Sequence, residues 1–557
     1  MVLVPWWAAN IAPMKRDRNR NLFALVLTLL LLGGGVMALQ GTTMEKADFT
    51  FNNASEPESL DPKIVSGVPE GRVLRCLYEG LVNMHPKTLA PVPGMAERWE
   101  ISKDRRTYTF HIRKNALWSN GDALTAKDFV YSWRRFLDPD SPAKYAQLLW
   151  LVSKGKDYML GKAQWKEVGI RAKDPHTFVV ELVHPTAYFL GLTSFYALFP
   201  VHRATVEAHP GMWFKPEHCV CNGPFLLHER MIRDRIRLRK NPRYWDADTV
   251  RLNTVDILPV EDHVTGLNLY LTGVIDWETD VPQQVIVDLM KRSDFAPRAY
   301  LGSYFYRVNV KSRHPDKARF LSDPRFRLAL YLAMDRKSIV EGVTQAGETP
   351  ARSLVPPGLP GYDGPKLPGT DLAKARALLA EVKRDLGVSE VPTLTILYNT
   401  SESHKSIAEV IQQQWGRGLG LDIKLENQEW GTYLNSQKTL DYDICRSAWI
   451  GDYPDPNTFL DLFVTGGGNN NTGYSDARYD ALIDKAAREA DKAKRLDILS
   501  EAESKLLEDL PILPIYYYVT KNLLRPWVKG FYPNIQNVHP LKFVWIDEKA
   551  RREYDGR

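Results

Sequence analysis

One apolar run constrains this chain more than any other feature. From Leu22 to Leu39 no charged side chain interrupts it, and Lys15, Arg16, Arg18 and Arg20 precede it. No other stretch of the 557 residues could span a bilayer. A basic flank, an apolar run and polar residues from Gln40 onward form the pattern of an export signal, and Val36-Met37-Ala38 offers small residues for cleavage. Met14 fits the start of such a signal better than Met1 does. At about 18 residues the run is also long enough for an uncleaved anchor, but its flanks favour export with cleavage. No cysteine lies in or just after it, which excludes a lipid-modified N-terminal cysteine. The rest of the chain is therefore expected to fold in water, in the periplasm or another extracytoplasmic space.

Four cysteines, Cys76, Cys219, Cys221 and Cys445, permit disulfides in such a compartment but cannot build a disulfide scaffold. A hydrophobic core must hold the fold, and the chain is too long for a single core. The formal charge is +6, of which residues 1–44 supply +3 through four basic side chains against Asp17. The remainder is too weakly basic for a surface that tracks phosphates, so no nucleic-acid partner is expected.

Strand and helix signals alternate with no long linker and no repeat, which predicts an α/β class with mixed sheets. Tyr108, Phe110 and Ile112 alternate with polar residues in a half-buried strand. Thr125 and Asp128 form a capping-box pattern before Phe129, Trp133 and Phe136. Asp323-Pro324 opens a helix with Phe326, Leu330 and Met334 on its apolar face. A strand over 394–398, a helix after Ser401 and a strand over 422–425 make a right-handed crossover unit.

No Gly-x-Ser-x-Gly elbow, His-Glu-x-x-His, P-loop or dinucleotide fingerprint is present, so neither catalysis nor a cofactor is expected. His218-Cys219-Val220-Cys221 is spaced too tightly for a structural zinc site and lacks a second ligand pair, so no metal is expected either.

Several ordered segments resemble the periplasmic oligopeptide-binding proteins, the peptide branch of the family 5 extracellular solute-binding proteins of ABC importers. They are Ser59-Leu60-Asp61-Pro62, Gly67-Val68-Pro69-Glu70, Leu77-Tyr78-Glu79-Gly80-Leu81, Trp118-Ser119-Asn120-Gly121 and Ala126 to Trp133. Leu397 to Ser401 with His404, Asn427-Gln428-Glu429-Trp430 and Trp449-Ile450-Gly451-Asp452-Tyr453 then narrow the likeness to the peptide branch. The resemblance implies a two-lobed, hinge-closing binding fold with an extra inserted domain. Lobe I would comprise 45–78, 203–300 and 521–557, lobe II 79–202, and lobe III 301–520. It also implies a monomer that captures short peptides between lobes I and III and delivers them to the permease subunits of an ABC importer. Dipeptides, murein peptides or another small solute, or a role as a membrane-anchored peptide sensor, are the alternatives.

Asp452 is the candidate partner of a peptide's ammonium group. Read from its immediate neighbours alone, it caps the turn at Tyr453-Pro454-Asp455-Pro456; the resemblance assigns it the ligand. Trp430 and Trp449, with Gly451 beside them, would wall side-chain pockets. Arg446 and His404 would meet the carboxyl end of peptides of different lengths. Gly67 and Val68, next to Ser66, would offer backbone to the ligand, and Tyr145 would lie nearby. The chain also departs from its relatives. Arg307 stands where they carry a cleft glutamate, and Gln437-Lys438 replaces an Arg-His pair. Gly302 and Ile450 stand where some carry a cysteine pair. Arg307 predicts a pocket that tolerates acidic side chains better than basic ones.

Overall fold

The computed structural model describes residues 46–555 except 142 and 490; the leader over 1–44 lies outside the described residues. Three sheets organise the fold. The first has six strands in the order Leu523–Leu524, Trp277–Glu278, Phe49–Asn52, Thr254–Leu258, Arg235–Lys240 and Phe225–Met231. Phe49–Asn52 lies parallel to both its neighbours, and the remaining pairs are antiparallel. This sheet is assembled from three widely separated parts of the chain.

The second sheet is four-stranded and antiparallel, in the order Ala96–Ile101, Thr107–Ile112, Thr177–Glu181 and Ile170–Asp174. Tyr108, Phe110 and Ile112 face inward from its second strand as the alternation predicts. Phe110 meets Phe178 of the neighbouring strand, and Phe178 in turn meets Phe129 and Trp133 of the helix Ala126–Phe136. Before that helix the Thr125 N–H donates to Asp128 Oδ2 at 2.7 Å and closes the capping box. The first two sheets share one apolar core.

The third sheet has six strands, Thr349–Pro350, Ile512–Val519, Ala299–Val308, Ile444–Ile450, Leu394–Asn399 and Ile423–Gln428. Leu394–Asn399 runs parallel to Ile423–Gln428 with the helix Glu402–Leu419 between them, so the expected crossover unit is present. Its core is separate, and each large apolar side chain fully buried there contributes about 1.5–3 kcal/mol. The helix opened by Asp323 runs only over Pro324–Leu332; Met334 lies beyond its end but is buried all the same. Mixed sheets flanked by helices make this an α/β fold, as the sequence predicts.

Gly302 and Ile450 are direct cross-strand partners. A Cβ at 302 would stand 2.4 Å from Ile450 Cδ1, so the isoleucine occupies the space that a second side chain would need. The four cysteines are all unpaired. Among the described residues no group of three or more His, Cys, Asp or Glu could hold a metal ion. No described helix is long and apolar enough to cross a membrane.

Candidate functional site

A cavity of about 330 Å³ opens between elements of the first and third sheets. Its near wall is the helix Val68–Leu77, which begins after Gly67 with Pro69 in its first turn. Its far wall is the strand Ile444–Ile450 and the turn that follows. The two sheets are joined where Arg298 and Thr520 sit side by side, the Thr520 N–H donating to the Arg298 carbonyl at 2.8 Å. In return the Arg298 N–H donates to Thr520 Oγ1 at 3.2 Å.

The far wall has an unpaired edge. Ile444–Ile450 pairs along its length with Ala299–Val308, but its other neighbour, Leu394–Asn399, pairs only at Ile444 and Cys445. Tyr433 Oη and Gln437 Nε2 donate to the Arg446 carbonyl, which therefore points away from Ala299–Val308. Backbone groups of alternate residues point the same way along a strand, so the N–H and C=O of Ala448 and Ile450 face the open edge.

Asp452 lies just past the end of this strand. Its N–H donates to Thr458 Oγ1 at 3.0 Å. Tyr145 Oη reaches its carboxylate at 3.5 Å and the Ser66 carbonyl at 3.4 Å. No basic side chain forms an ion pair with it among the described residues. Burial pushes its pKa up to about 7, against the pull of Tyr145 and of Arg75 across the cavity. Gly451 is required by close packing: a Cβ there would stand 2.6 Å from Leu301 Cδ2 and 3.1 Å from Thr458 Cγ2.

Ser66, Gly67, Val68, Trp430, Arg446, Trp449, Gly451 and Asp452 all line the cavity. Trp430 stacks on Tyr433 yet remains 52% exposed, leaving an apolar face at the rim. Trp449 Nε1 and Arg446 Nε are buried without a hydrogen-bond partner. The Arg446 guanidinium is otherwise held by Tyr518 Oη at 3.0 Å and Asn399 Oδ1 at 3.4 Å. The Gly67 carbonyl is not free for a ligand, because the Gly71 N–H donates to it at 3.1 Å and Tyr196 Oη at 3.3 Å.

Four expected residues do not line the cavity. His404 sits behind Tyr304, whose hydroxyl lies 3.4 Å from His404 Nδ1. Burial, then Arg446 and Lys521, hold its imidazole far below its ordinary pKa. Gln437 is committed to the Arg446 carbonyl and to Tyr433 Oη, and Lys438 is exposed. Arg307 is 3% exposed, donates to Ser447 Oγ and the Asn469 carbonyl at 3.0 Å each, and its guanidinium lies 5.7 Å from the ring centres of both Phe305 and Phe463. The expectation that Arg307 sets the charge of a pocket thus loses its geometric basis.

Other lining residues carried no motif. Arg72 and Arg75 share the helix face of Val68, Tyr196 and Trp277 back them, and Gln536 to Leu541 close one side. The i, i+4, i+7 spacing of Val68, Arg72 and Arg75 was the available signal for the arginines; the loop offers none.

Residues 90–471 match the family described as bacterial extracellular solute-binding proteins, family 5 middle. The periplasmic oligopeptide-binding protein OppA of Salmonella typhimurium is 37% identical over 505 residues, covering 87% of this chain and 90% of the relative. The Haemophilus influenzae OppA complex with RPPGFSPFR superposes with a TM-score of 0.83 at 34% identity, over 90% of this chain and 99% of that one. The Escherichia coli murein tripeptide binding protein MppA gives 0.83 at 35% identity over the same shares, and its unliganded open form gives 0.69 over 90% and 98%. With a matched segment covering most of its length and relatives alike almost end to end, the chain belongs to the family 5 bacterial extracellular solute-binding proteins.

Proposed function

We propose that this protein captures short oligopeptides in the cavity and delivers them, outside the cytoplasm, to the permease of an ABC importer. The observation that carries the reading is Asp452: a carboxylate without an ion pair, at the end of an open strand edge, inside a cavity. Peptides share an ammonium group, a main chain and a carboxylate. Asp452 matches the first, and a charge-assisted hydrogen bond is strong in such a setting. The open edge at Ala448 and Ile450 matches the second by strand addition, which recognises backbone whatever the side chains are. Arg446 matches the third. Trp430 and Trp449 provide apolar faces that fit many side chains.

The peptide relatives support this reading over a sugar or an inorganic ion, neither of which needs a lone carboxylate beside a strand edge. The relatives, named as binding proteins, support binding as the task.

The lobes are proposed as 45–78 with 203–300 and 521–557, then 79–202, then 301–520. The composition of the three sheets supports this division. Only two strands of chain, meeting at Arg298 and Thr520, join the first lobe to the third, and paired crossings of this kind make a hinge. The lower similarity to an open form supports a closed arrangement here. The residues before 45 are proposed as the export signal.

The test is mass spectrometry of ligands released from protein purified without refolding, followed by calorimetry with free and N-acetylated versions of one peptide. Peptides are expected in the eluate, and acetylation is expected to weaken binding about a hundredfold or more. Equal affinity for the blocked peptide removes Asp452 from the role and the reading with it.

A further inference from the structure

The cavity carries more positive charge than a single terminal carboxylate needs. Arg72 and Arg75 lie three residues apart on the helix Val68–Leu77, and both line the cavity. Neither forms an ion pair among the described residues. One terminal nitrogen of Arg72 donates to Asn53, to Oδ1 at 3.3 Å and to the carbonyl at 3.5 Å; the guanidinium lies 5.4 Å from the Trp277 ring centre, and its Nε is buried without a partner. The Arg75 guanidinium lies 5.2 Å from the Tyr196 ring centre.

The acids that act on this pair do so only through space: Asp280 and Glu278 on Arg72, and Asp452 on Arg75. Glu278 is held by the Asn52 amide at 3.0 Å, and burial pushes its carboxyl up to about 7, which removes part of its charge near neutrality. The other titratable groups on the wall are uncharged. Burial drives the Cys76 thiol up to about 12 and holds the His539 imidazole down to about 3. Three guanidiniums, those of Arg72, Arg75 and Arg446, therefore face one carboxylate, Asp452, around a single cavity.

The geometry points to a ligand with a carboxylate side chain close to its free amino end, the ammonium resting on Asp452 and the side-chain carboxylate on Arg72 and Arg75. This assignment rests on the peptide reading above and narrows it to acidic peptides. Arg446 lies on the opposite strand and remains for the carboxyl end. A guanidinium pair on one helix face presents parallel N–H donors that suit a carboxylate, where a lysine side chain would meet two like charges at short range.

The test is calorimetry of the ligand-free protein with tetraalanine and with tetrapeptides carrying glutamate or lysine at residue one, two or three. Each peptide is made with a free and with an amidated carboxyl end. Glutamate at one of the three positions is expected to tighten binding about tenfold over alanine, and lysine there to weaken it by as much. The gain should survive amidation, and in Arg72→Gln/Arg75→Gln the glutamate-to-alanine ratio should fall towards one. A gain that vanishes on amidation would assign the two arginines to the terminal carboxylate and overturn the inference. Lysine equal to glutamate at every position, or a ratio kept in the double variant, overturns it as well. The wild-type panel decides the matter even if the double variant fails to fold. If tetraalanine binds and glutamate adds nothing, only this assignment falls; if no peptide binds, the peptide reading falls with it.

Discussion

Asp452 and Asp455 are three residues apart in one turn, and the protein treats them in opposite ways. Asp455 receives both terminal nitrogens of Arg495, at 2.7 and 2.8 Å, and its Oδ1 also accepts the Asn457 N–H at 3.0 Å. The Arg495 side chain is 2% exposed and that of Asp455 16%, so the pair is largely withdrawn from solvent. Asp452 has a tyrosine hydroxyl at the long limit of a hydrogen bond and, among the described residues, no ion-pair partner. The turn-capping role that local sequence offered to Asp452 is performed by Asp455. A protein that fully satisfies one aspartate and leaves its neighbour open has placed the open one for something that arrives later. The arginines repeat the contrast, with Arg495 and Arg307 committed to protein acceptors while Arg72 and Arg75 face the cavity.

The largest effect should come from breaking the committed pair. Arg495→Met keeps the side-chain bulk but leaves the largely buried Asp455 carboxylate without its cation, which costs roughly 3 kcal/mol of stability. Urea unfolding measures this. Removing both charges, with Asp455→Asn added, should return most of the loss, because two neutral groups no longer need each other. A single variant as stable as wild type would show that the two aspartates do not differ as described.

Asp452→Asn should do the reverse. It should not lower the stability of the ligand-free protein, since the carboxylate it removes is desolvated and poorly compensated, but it should weaken peptide binding by about 2–4 kcal/mol. Its pH dependence sharpens the point. With the carboxyl pushed up to about 7, the empty site is increasingly protonated below neutrality, and a ligand ammonium must displace that proton. Affinity should therefore fall as pH drops through 7, by about thirtyfold at pH 5.5, and Asp452→Asn should flatten this part of the profile in calorimetry.

How much of this was legible beforehand depended on whether a residue sat in a motif or only on a face. The stretch from Trp449 to Asp452 and the Ser66-Gly67-Val68 turn reach the cavity because those segments keep the order of the family. Arg307 was misplaced because Leu301–Val308 is buried on both faces, which erases the two-residue alternation that would reveal its direction. In the structure Tyr304 and Tyr306 pair with Ala448 and Arg446, whereas Arg307 shares the opposite face with Phe305. Arg72 and Arg75 were legible in principle from helix phase. Residues 536–541 were not, because an irregular loop closes its side of the cavity through tertiary placement alone. The crossover strands and the capped helices were readable for the contrary reason, their signals being local.

The smallest effect is on how stability varies with pH. Burial raises Asp452 and Glu503 to about 7, and Glu278 likewise. Asp461 rises to about 8 through burial and then the nearby charges of Asp452 and Asp455. An acid whose pKa is higher in the folded state binds its proton more tightly there than in the unfolded chain. Stability contributed this way is gained as pH falls through the folded value, and is complete only near the ordinary carboxylate range of about 4. Two buried imidazoles, His404 and His539, are held neutral and act in the other direction once the unfolded chain can protonate them, below about 6.5. The ligand-free protein should therefore gain a few degrees in Tm between pH 8.5 and about 6.5, then level off or decline. Bound peptide should diminish the rise by fixing Asp452 in its charged form, and Asp452→Asn should diminish it in the ligand-free protein. A Tm that falls steadily from pH 8.5 to 6.5 would mean that these carboxyls are not held in their acid forms, and that Asp452 and Asp455 differ in partners without differing in charge.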